Sequence, residues 1–304
     1  MSSPTPQLKE SRLPAELERE IFEIAAANQD IQTGLKLILT AKRVREWIEP
    51  TFYRVLIKCT DVPRTSPFLK HLHLENISPI ERQKLSYCHC LLLQSISVED
   101  AVNLLSACPN ITDLAMWVLQ GSYTPLGEIL LSMKIQRLSV RINDVLRGFS
   151  SSHTLIGSPL SQALTHLDLI DLNSGFWDSA WKAFVALPRL THLAVDGNNV
   201  VPTIEGMLNE SKSIKLIVAT STTHAYLQGD LSNGESTSKW LGAWDVRFIH
   251  FPYPEGPISC WVEGTKGGED LWVGAEKAQS NRIEQLKAKK ESTKISLVEK
   301  KMPL

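Results

Sequence analysis

A Leu-x-x-Leu-x-Leu pattern recurs between residues 111 and 218 and restricts the folds open to this chain more than any other feature. It appears as Ile111-x-x-Leu114-x-Met116, Ile135-x-x-Leu138-x-Val140, Leu164-x-x-Leu167-x-Leu169 and Leu190-x-x-Leu193-x-Val195, with a weaker copy carrying Leu216 and Val218. The central positions 114, 138, 167, 193 and 216 lie 24, 29, 26 and 23 residues apart. Alternate apolar residues are what a strand buried on one face requires, because side chains at i and i+2 share a face. A strand this short cannot bury its own apolar edge, so the copies must stack on one another. Between them lie helical stretches: 98–107, with Val102, Leu104 and Leu105, and 177–187, with Trp181, Phe184 and Val185. The turns Cys108-Pro109-Asn110 and Leu187-Pro188-Arg189 lead into the next strand. Strand, loop, helix and turn, repeated, predict an α/β chain wound as a right-handed solenoid with parallel strands.

The repeat length lies in or at the edge of the roughly 20 to 29 residues of leucine-rich repeats. Two copies carry the asparagine of that pattern, Asn143 before Val145 and Asn198 before Val200, whereas Leu119 and Leu172 stand there in others. Weaker strand candidates, Phe52–Ile57, Leu69–Leu74 and Leu91–Ile96, extend the sheet towards the N-terminus. Leu138, Leu167 and Leu193 are expected to be buried, and their neighbours Ser139, Asp168 and Ala194 to face outward and tolerate polar replacement.

Successive repeats line their outward positions up in rows. One reads Asp113, Arg137, His166 and His192; the next Ala115, Ser139, Asp168 and Ala194; the third Trp117, Arg141, Ile170 and Asp196. An outward Trp117 beside Arg141, with Ile170 further on, has the composition of an interface hot spot. We therefore expect a protein target to bind here, through Trp117, Arg137, Arg141, His166, Ile170, His192 and Asp196. The alternative is that Trp117 folds under the loop after its strand and the segment around Phe176 covers Ile170. His166 and His192 should stand about 5 Å apart on neighbouring strands, and we read them as a solvated ladder rather than a metal site.

Residues 1–10 are polar and expected to be disordered. Over 11–50 three helices are predicted. Pro14 is placed at the first helical position, Leu17, Ile21, Phe22 and Ile24 form an apolar stripe, and a second run from Leu35 to Ile48 stops at Pro50. So small a module must lean on the solenoid of 51–223 or on a partner. Residues 224–275, with Trp240, Trp244, Trp261 and Trp272, are expected to cap the sheet, Val246 to Phe251 and the bulky aromatics after it covering its last open edge. The tail 276–304 has eight Lys or Arg against four Glu, hence +4 against -5 for the remainder, and reads as a frayed helix and a disordered end.

A net charge of -1 over 304 residues supplies no electrostatic reason to expect nucleic acid. No apolar run approaches the roughly 20 residues of a membrane helix, and Met1 to Lys9 lacks a signal-peptide core. A cytoplasmic or nuclear chain is expected. Five irregularly spaced cysteines then read as reduced thiols. Cys88-His89-Cys90 with His71 and His73 contains zinc-ligand types but no finger spacing, and core thiols are the reading preferred. The chain has no Gly-x-Ser-x-Gly, no phosphate loop, no His-Glu-x-x-His and no Gly-x-Gly-x-x-Gly. No enzyme, cofactor or metal is expected.

Leu13-Pro14-Ala15-Glu16-Leu17 through Ile21-Phe22, followed at the matching distance by Ala41-Lys42-Arg43-Val44-Arg45-Glu46-Trp47-Ile48, resembles an F-box. With Glu49 to Val55, Cys108-Pro109-Asn110-Ile111-Thr112-Asp113-Leu114 and Leu164-Thr165-His166-Leu167, residues 11–275 resemble F-box-like proteins with degenerate leucine-rich repeats, abundant in mushroom-forming fungi. The resemblance implies a substrate receptor of a Skp, cullin and F-box ubiquitin ligase. Leu13, Pro14, Leu17, Ile21 and Phe22, with Lys42 and Arg43, would face the Skp adaptor, and the repeats would choose an unknown protein target. Val44 stands where many F-boxes have tryptophan, and no acidic residue opens the second helix near Gln32-Thr33-Gly34.

Overall fold

The structure is a computed structural model that describes residues 13–27, 31–59, 64–117, 124–141, 155–170, 181–196, 201–220, 245–253 and 255–299. The asparagine positions Asn143 and Asn198, together with Phe176, Trp240 and Trp244, lie outside them. Three helices come first: α1 (Ala15–Ala27), α2 (Ile31–Leu37) and α3 (Lys42–Ile48). Pro14 stands just ahead of α1 rather than inside it, and its carbonyl accepts the Glu18 N–H. Val44 and Ile48 are buried and fasten α3 down. A 3-10 turn, Glu49–Tyr53, with Pro50 in its first turn, leads into β1 (Val55–Cys59).

The chain then runs α4 (Pro67–Lys70), α5 (Pro79–Leu85), β2 (Cys90–Gln94), α6 (Val98–Ala107), β3 (Asp113–Trp117), α7 (Thr124–Ser132), β4 (Arg137–Arg141), α8 (Pro159–Ala163) and β5 (His166–Ile170). A helical segment at 181–185 precedes β6 (His192–Asp196), α9 (Val201–Glu210), β7 (Leu216–Thr220) and β8 (Phe248–His250). The last elements are α10 (Pro257–Thr265) and α11 (Leu271–Glu299). Serines start several crossovers: Ser78, Ser97 and Ser158 precede α5, α6 and α8, and each side chain accepts a backbone N–H of the first turn. At α5 Glu81 bonds back to Ser78, completing a capping box.

All eight strands are parallel and lie in sequence order in one sheet. Leu56, Leu91, Leu114, Leu138, Leu167, Leu193, Ile217 and Phe248 align in a single row, and all are buried on the face that packs against the crossover helices. Before the strands, hydroxyls of Thr165 and Thr191 donate to carbonyls one coil back, Gln136 and Thr165.

Three expectations are corrected. Leu69–Leu74 is not a strand: Phe68, Leu69 and Leu72 follow a 3-to-4-residue spacing behind Pro67, and the chain there forms α4 and turns. The weaker repeat copy is displaced by one residue, since Leu193 pairs with Ile217, not Leu216. Its inward residue is Ile217, while Leu216 and Val218 point to the opposite face, where they are buried as well. A strand buried on both faces loses the alternation that marks its register. Finally, Phe248–His250 does not merely cover the edge but pairs with β7 as the eighth strand.

Candidate functional site

The opposite face of the sheet carries the outward rows in the order expected. Asp113, Arg137, His166 and His192 are neighbours in register, as are Ala115, Ser139, Asp168 and Ala194. Arg141 pairs with Ile170. The face is not open to solvent, however. Trp117, Ser139, Asp168, His192 and Ala194 are buried and Arg137, His166 and Ile170 half-buried, because the chain returns across them through residues 251–282. Ser139, Asp168 and Ala194 thus lie on the face expected of them but under cover rather than in solvent, and the side chain of Asp196 lies outside the described residues.

Two different contacts make up this cover. Over β6 to β8 it is apolar: Ala194, Leu216, Val218 and Ile249 meet Leu271, Trp272 and Ala275 of α11. Gln279 donates to the carbonyls of Lys215 and Val246, and Arg282 to that of Phe248. The charged tail is thus docked through Arg282, where the sequence reads a frayed end from Glu276; amide and guanidinium groups reach the carbonyls at the sheet's last edge. Over β1 to β5 the cover is α10. Ile258 and Trp261 pack on Leu92, Ala115, Trp117, Ile57 and Ile170. Thus Trp117 is covered by the distant C-terminal segment; the loop after its strand and the segment around Phe176 lie outside the described residues.

A buried polar network runs beneath α10. The Trp261 indole donates to Asp113 at 2.9 Å, Arg137 lies 3.2 Å from Asp113, and Arg137 also pairs with Asp270. Asp270 in turn accepts the N–H groups of Trp272 and Val273 at the start of α11. Trp117 donates to the Ser139 hydroxyl at 2.9 Å, Ser139 to Asp168 at 2.6 Å, and the Tyr253 phenol to the same Asp168 oxygen at 2.9 Å. Burial raises the Asp113 carboxyl, and burial together with Asp168 holds the Tyr253 phenol well above its usual range. Burial opposes the charge of Arg137, but Asp113 and Asp270 keep its guanidinium raised. A cavity of about 30 Å³ remains between strands and cover, room for about one water.

His166 and His192 stack with ring centres 4.3 Å apart, and the Trp272 ring stands edge-on to both. His192 Nε2 lies 3.0 Å from Glu276, and its Nδ1 lies 2.8 Å from the Thr191 hydroxyl. This is a covered pair rather than a solvated ladder. Burial, then His192 and Arg137, push His166 down to about 3. Burial also lowers His192, against the pull of Glu276. The other charges around the pair are Asp270 and Lys215. In the unfolded chain both rings take a proton near 6.5, so below that pH the unfolded state binds more protons and stability falls as pH drops. We expect the melting temperature to fall by several degrees between pH 7 and pH 5, and His166→Gln to flatten that slope. Asp113, with a raised carboxyl, acts in the opposite direction but nearer the carboxylate range. Circular-dichroism melts at fixed ionic strength that stay flat or rise on acidification would refute this.

A second surface lies on the N-terminal helices. Leu13, Leu17, Ile21 and Ile24 of the first helix region and Leu35 and Leu39 beyond it are exposed, Ile21 at 54% and Leu39 at 83%. Pro14 is exposed and Phe22 half-buried. Lys42 pairs with Glu46, and Arg43 pairs with Glu18 at 2.6 Å, joining α3 to α1.

Sequence reasoning missed Tyr253, Trp261, Asp270, Trp272 and Glu276 as members of the sheet-face site; the density of tryptophan near the C-terminus was the only signal. Cys88 is buried in the core behind the sheet, whereas Cys90 begins β2 in register with Asp113, and burial pushes its thiol up to about 12. Among the described residues no group of three or more His, Cys, Asp or Glu is arranged to hold a metal ion, and no helix is long and apolar enough to cross a membrane. Neither a scan against protein-family models nor a search of curated proteins finds a match to this chain.

Proposed function

We propose that this chain is a protein-binding adaptor rather than an enzyme: an F-box-like helical module followed by leucine-rich-repeat-like coils, acting as substrate receptor of a Skp, cullin and F-box ubiquitin ligase in the cytoplasm or nucleus. The observation that carries the reading is the exposure of Leu13, Leu17, Ile21, Ile24, Leu35 and Leu39 on two short helices, while Val44 and Ile48 are buried and hold the module in place. Exposed apolar clusters on soluble proteins mark contact surfaces. Leu13, Pro14, Leu17, Ile21 and Phe22 meet the adaptor, with Lys42 and Arg43 at the rim. The sheet face takes the target once its cover is lifted, through Trp117, Arg137, Arg141, His166, Ile170, His192 and Asp196.

The test is co-purification with a fungal Skp adaptor, followed by titration. Leu17→Ala with Ile21→Ala should weaken binding by at least ~30-fold, the effect of losing about 2 kcal/mol at a hot spot. Both side chains are about half exposed, so the melting temperature should hold. A wild-type chain that fails to bind at micromolar concentration leaves a repeat-based interaction protein whose helical module is a relic.

A further inference from the structure

The two halves of the cover on the sheet face differ in kind. Over β6 to β8 an apolar cluster, flanked by the His192–Glu276 pair and by hydrogen bonds from Gln279 and Arg282, closes the open end of the sheet, as a terminal cap must. Over β3 to β5 a smaller apolar contact of Ile258 and Trp261 is joined by the Asp113, Arg137 and Asp270 charges and the Tyr253 phenol at Asp168, with a water-sized cavity left between the layers. Buried ion pairs contribute little net stability, since desolvation offsets their attraction. Contacts between parts of one chain that are this polar behave as reversible interfaces. The helix that carries Trp261 is bounded by Gly256 and Gly267, both with positive φ, +86° and +78°, a backbone conformation that glycine adopts freely and that turns the chain at each end of the helix. Gly264 lets Asp270 lie against this helix, because a Cβ there would stand 2.7 Å from the Asp270 carboxylate. A groove of about 700 Å³ opens along the same helix, lined by Ile57, Phe251, Ile258 and Val262 among others.

We propose that Tyr253–Asp270 is a self-ligand: it occupies the protein-binding face, and the target that replaces it is a peptide segment presenting a tyrosine or tryptophan and, some residues on, a carboxylate. The partner chemistry follows from what the face already holds. Asp113 accepts an indole N–H, Asp168 accepts a phenol O–H, and Arg137 pairs with a carboxylate. Trp261, half-buried, packs against the apolar group of Leu92, Ala115 and Trp117, as an aromatic anchor does at an interface. While the segment is seated the face is closed, and a target's affinity is reduced by the fraction of molecules in which it is lifted. The inference rests on the reading of this face as the target site and is independent of adaptor binding.

Native-state hydrogen exchange on the full chain tests it. The amides of Ser259 to Thr265 should exchange at least ~100-fold faster than those of β3 to β5, through local opening that leaves the sheet intact. In Trp261→Ala they should exchange faster still, with the strand amides unchanged. A fluorescein-labelled synthetic peptide of residues 251–273 should then bind that variant at least ~10-fold more tightly than wild type, and Asp113→Asn with Arg137→Met in the same background should remove the binding. Exchange of the helix at the rate of the strands, loss of strand protection in Trp261→Ala, or no peptide binding to the opened variant would each overturn the proposal. None of these readouts involves the Skp adaptor, so failure here and failure of the ligase reading are told apart.

Discussion

Leu193→Ala should lower stability by about 2–5 kcal/mol, the range for truncating a fully buried leucine in a packed core, and the melting temperature by roughly 5–10 °C. Leu193 is 0% exposed and sits between Leu167 and Ile217 in the row that runs through all eight strands. Among the described residues the walls of the cavity left by truncation are strands and crossover helices, which collapse inward little. Leu138 and Leu167, at 4% and 1%, should behave alike. The informative companion is Ala194→Asp. A one-faced sheet would tolerate a carboxylate at this alternate position, yet Ala194 is also 0% exposed and lies under Leu216 and Trp272. An unpaired charge placed there should destabilise as much as Leu193→Ala or more. Urea unfolding distinguishes the cases: a harmless Ala194→Asp would mean that α11 does not stay on the sheet in solution.

Arg137→Ala should be the most damaging truncation within the polar network of the covered face, at about 2–3 kcal/mol. That is below the 3–5 of a fully buried pair, because 32% of the arginine side chain meets solvent. Its partners are less exposed, Asp113 at 13% and Asp270 at 5%, so removal of the guanidinium leaves two carboxylates facing each other with no cation between them. Arg137→Lys should fall between wild type and alanine, since one ammonium cannot present two donor edges to two acids. The variant also carries a pH signature. With Arg137 gone, Asp113 is raised further above its unfolded value, so the folded state binds its proton first and the alanine variant recovers towards wild type as pH is lowered from 7.5 towards the carboxylate range. The comparison must be the difference between variant and wild type, because His166 and His192 destabilise both on acidification. A constant gap across that range, or no loss at pH 7.5, would remove Arg137 from its place in the network.

Local alternation was sufficient to locate most of the sheet. Leu114, Leu138, Leu167 and Leu193 stand in one row as their spacing implies, and Asp113, Arg137, His166 and His192 stand beside one another on the other side. A period of two assigns each residue to a face whatever lies beyond the sheet. The N-terminal helices and the helix at 98–107 were legible through a period near 3.6 and the turn residues that bound them, whereas the shorter crossover helices, such as 79–85 and 159–163, were not. Where a strand is apolar on both sides the signal vanishes, and β7 was therefore misaligned by one residue.

What covers the second face was decided by tertiary structure alone. Trp261 reaches Asp113 across 148 residues, Asp270 reaches Arg137 across 133, and Glu276 reaches His192 across 84. Such contacts have no period, and a row of charged and polar residues looks the same in a sequence whether it meets water or a complementary layer of the same chain. Trp117 and Ile170, apolar at outward positions, and the wholly apolar Leu216–Val218 were marks of a second layer. They state that something lies on the face, because apolar area left in water is unfavourable. Which segment lies there depends on shape and charge complementarity, and these exist only once the sheet has formed.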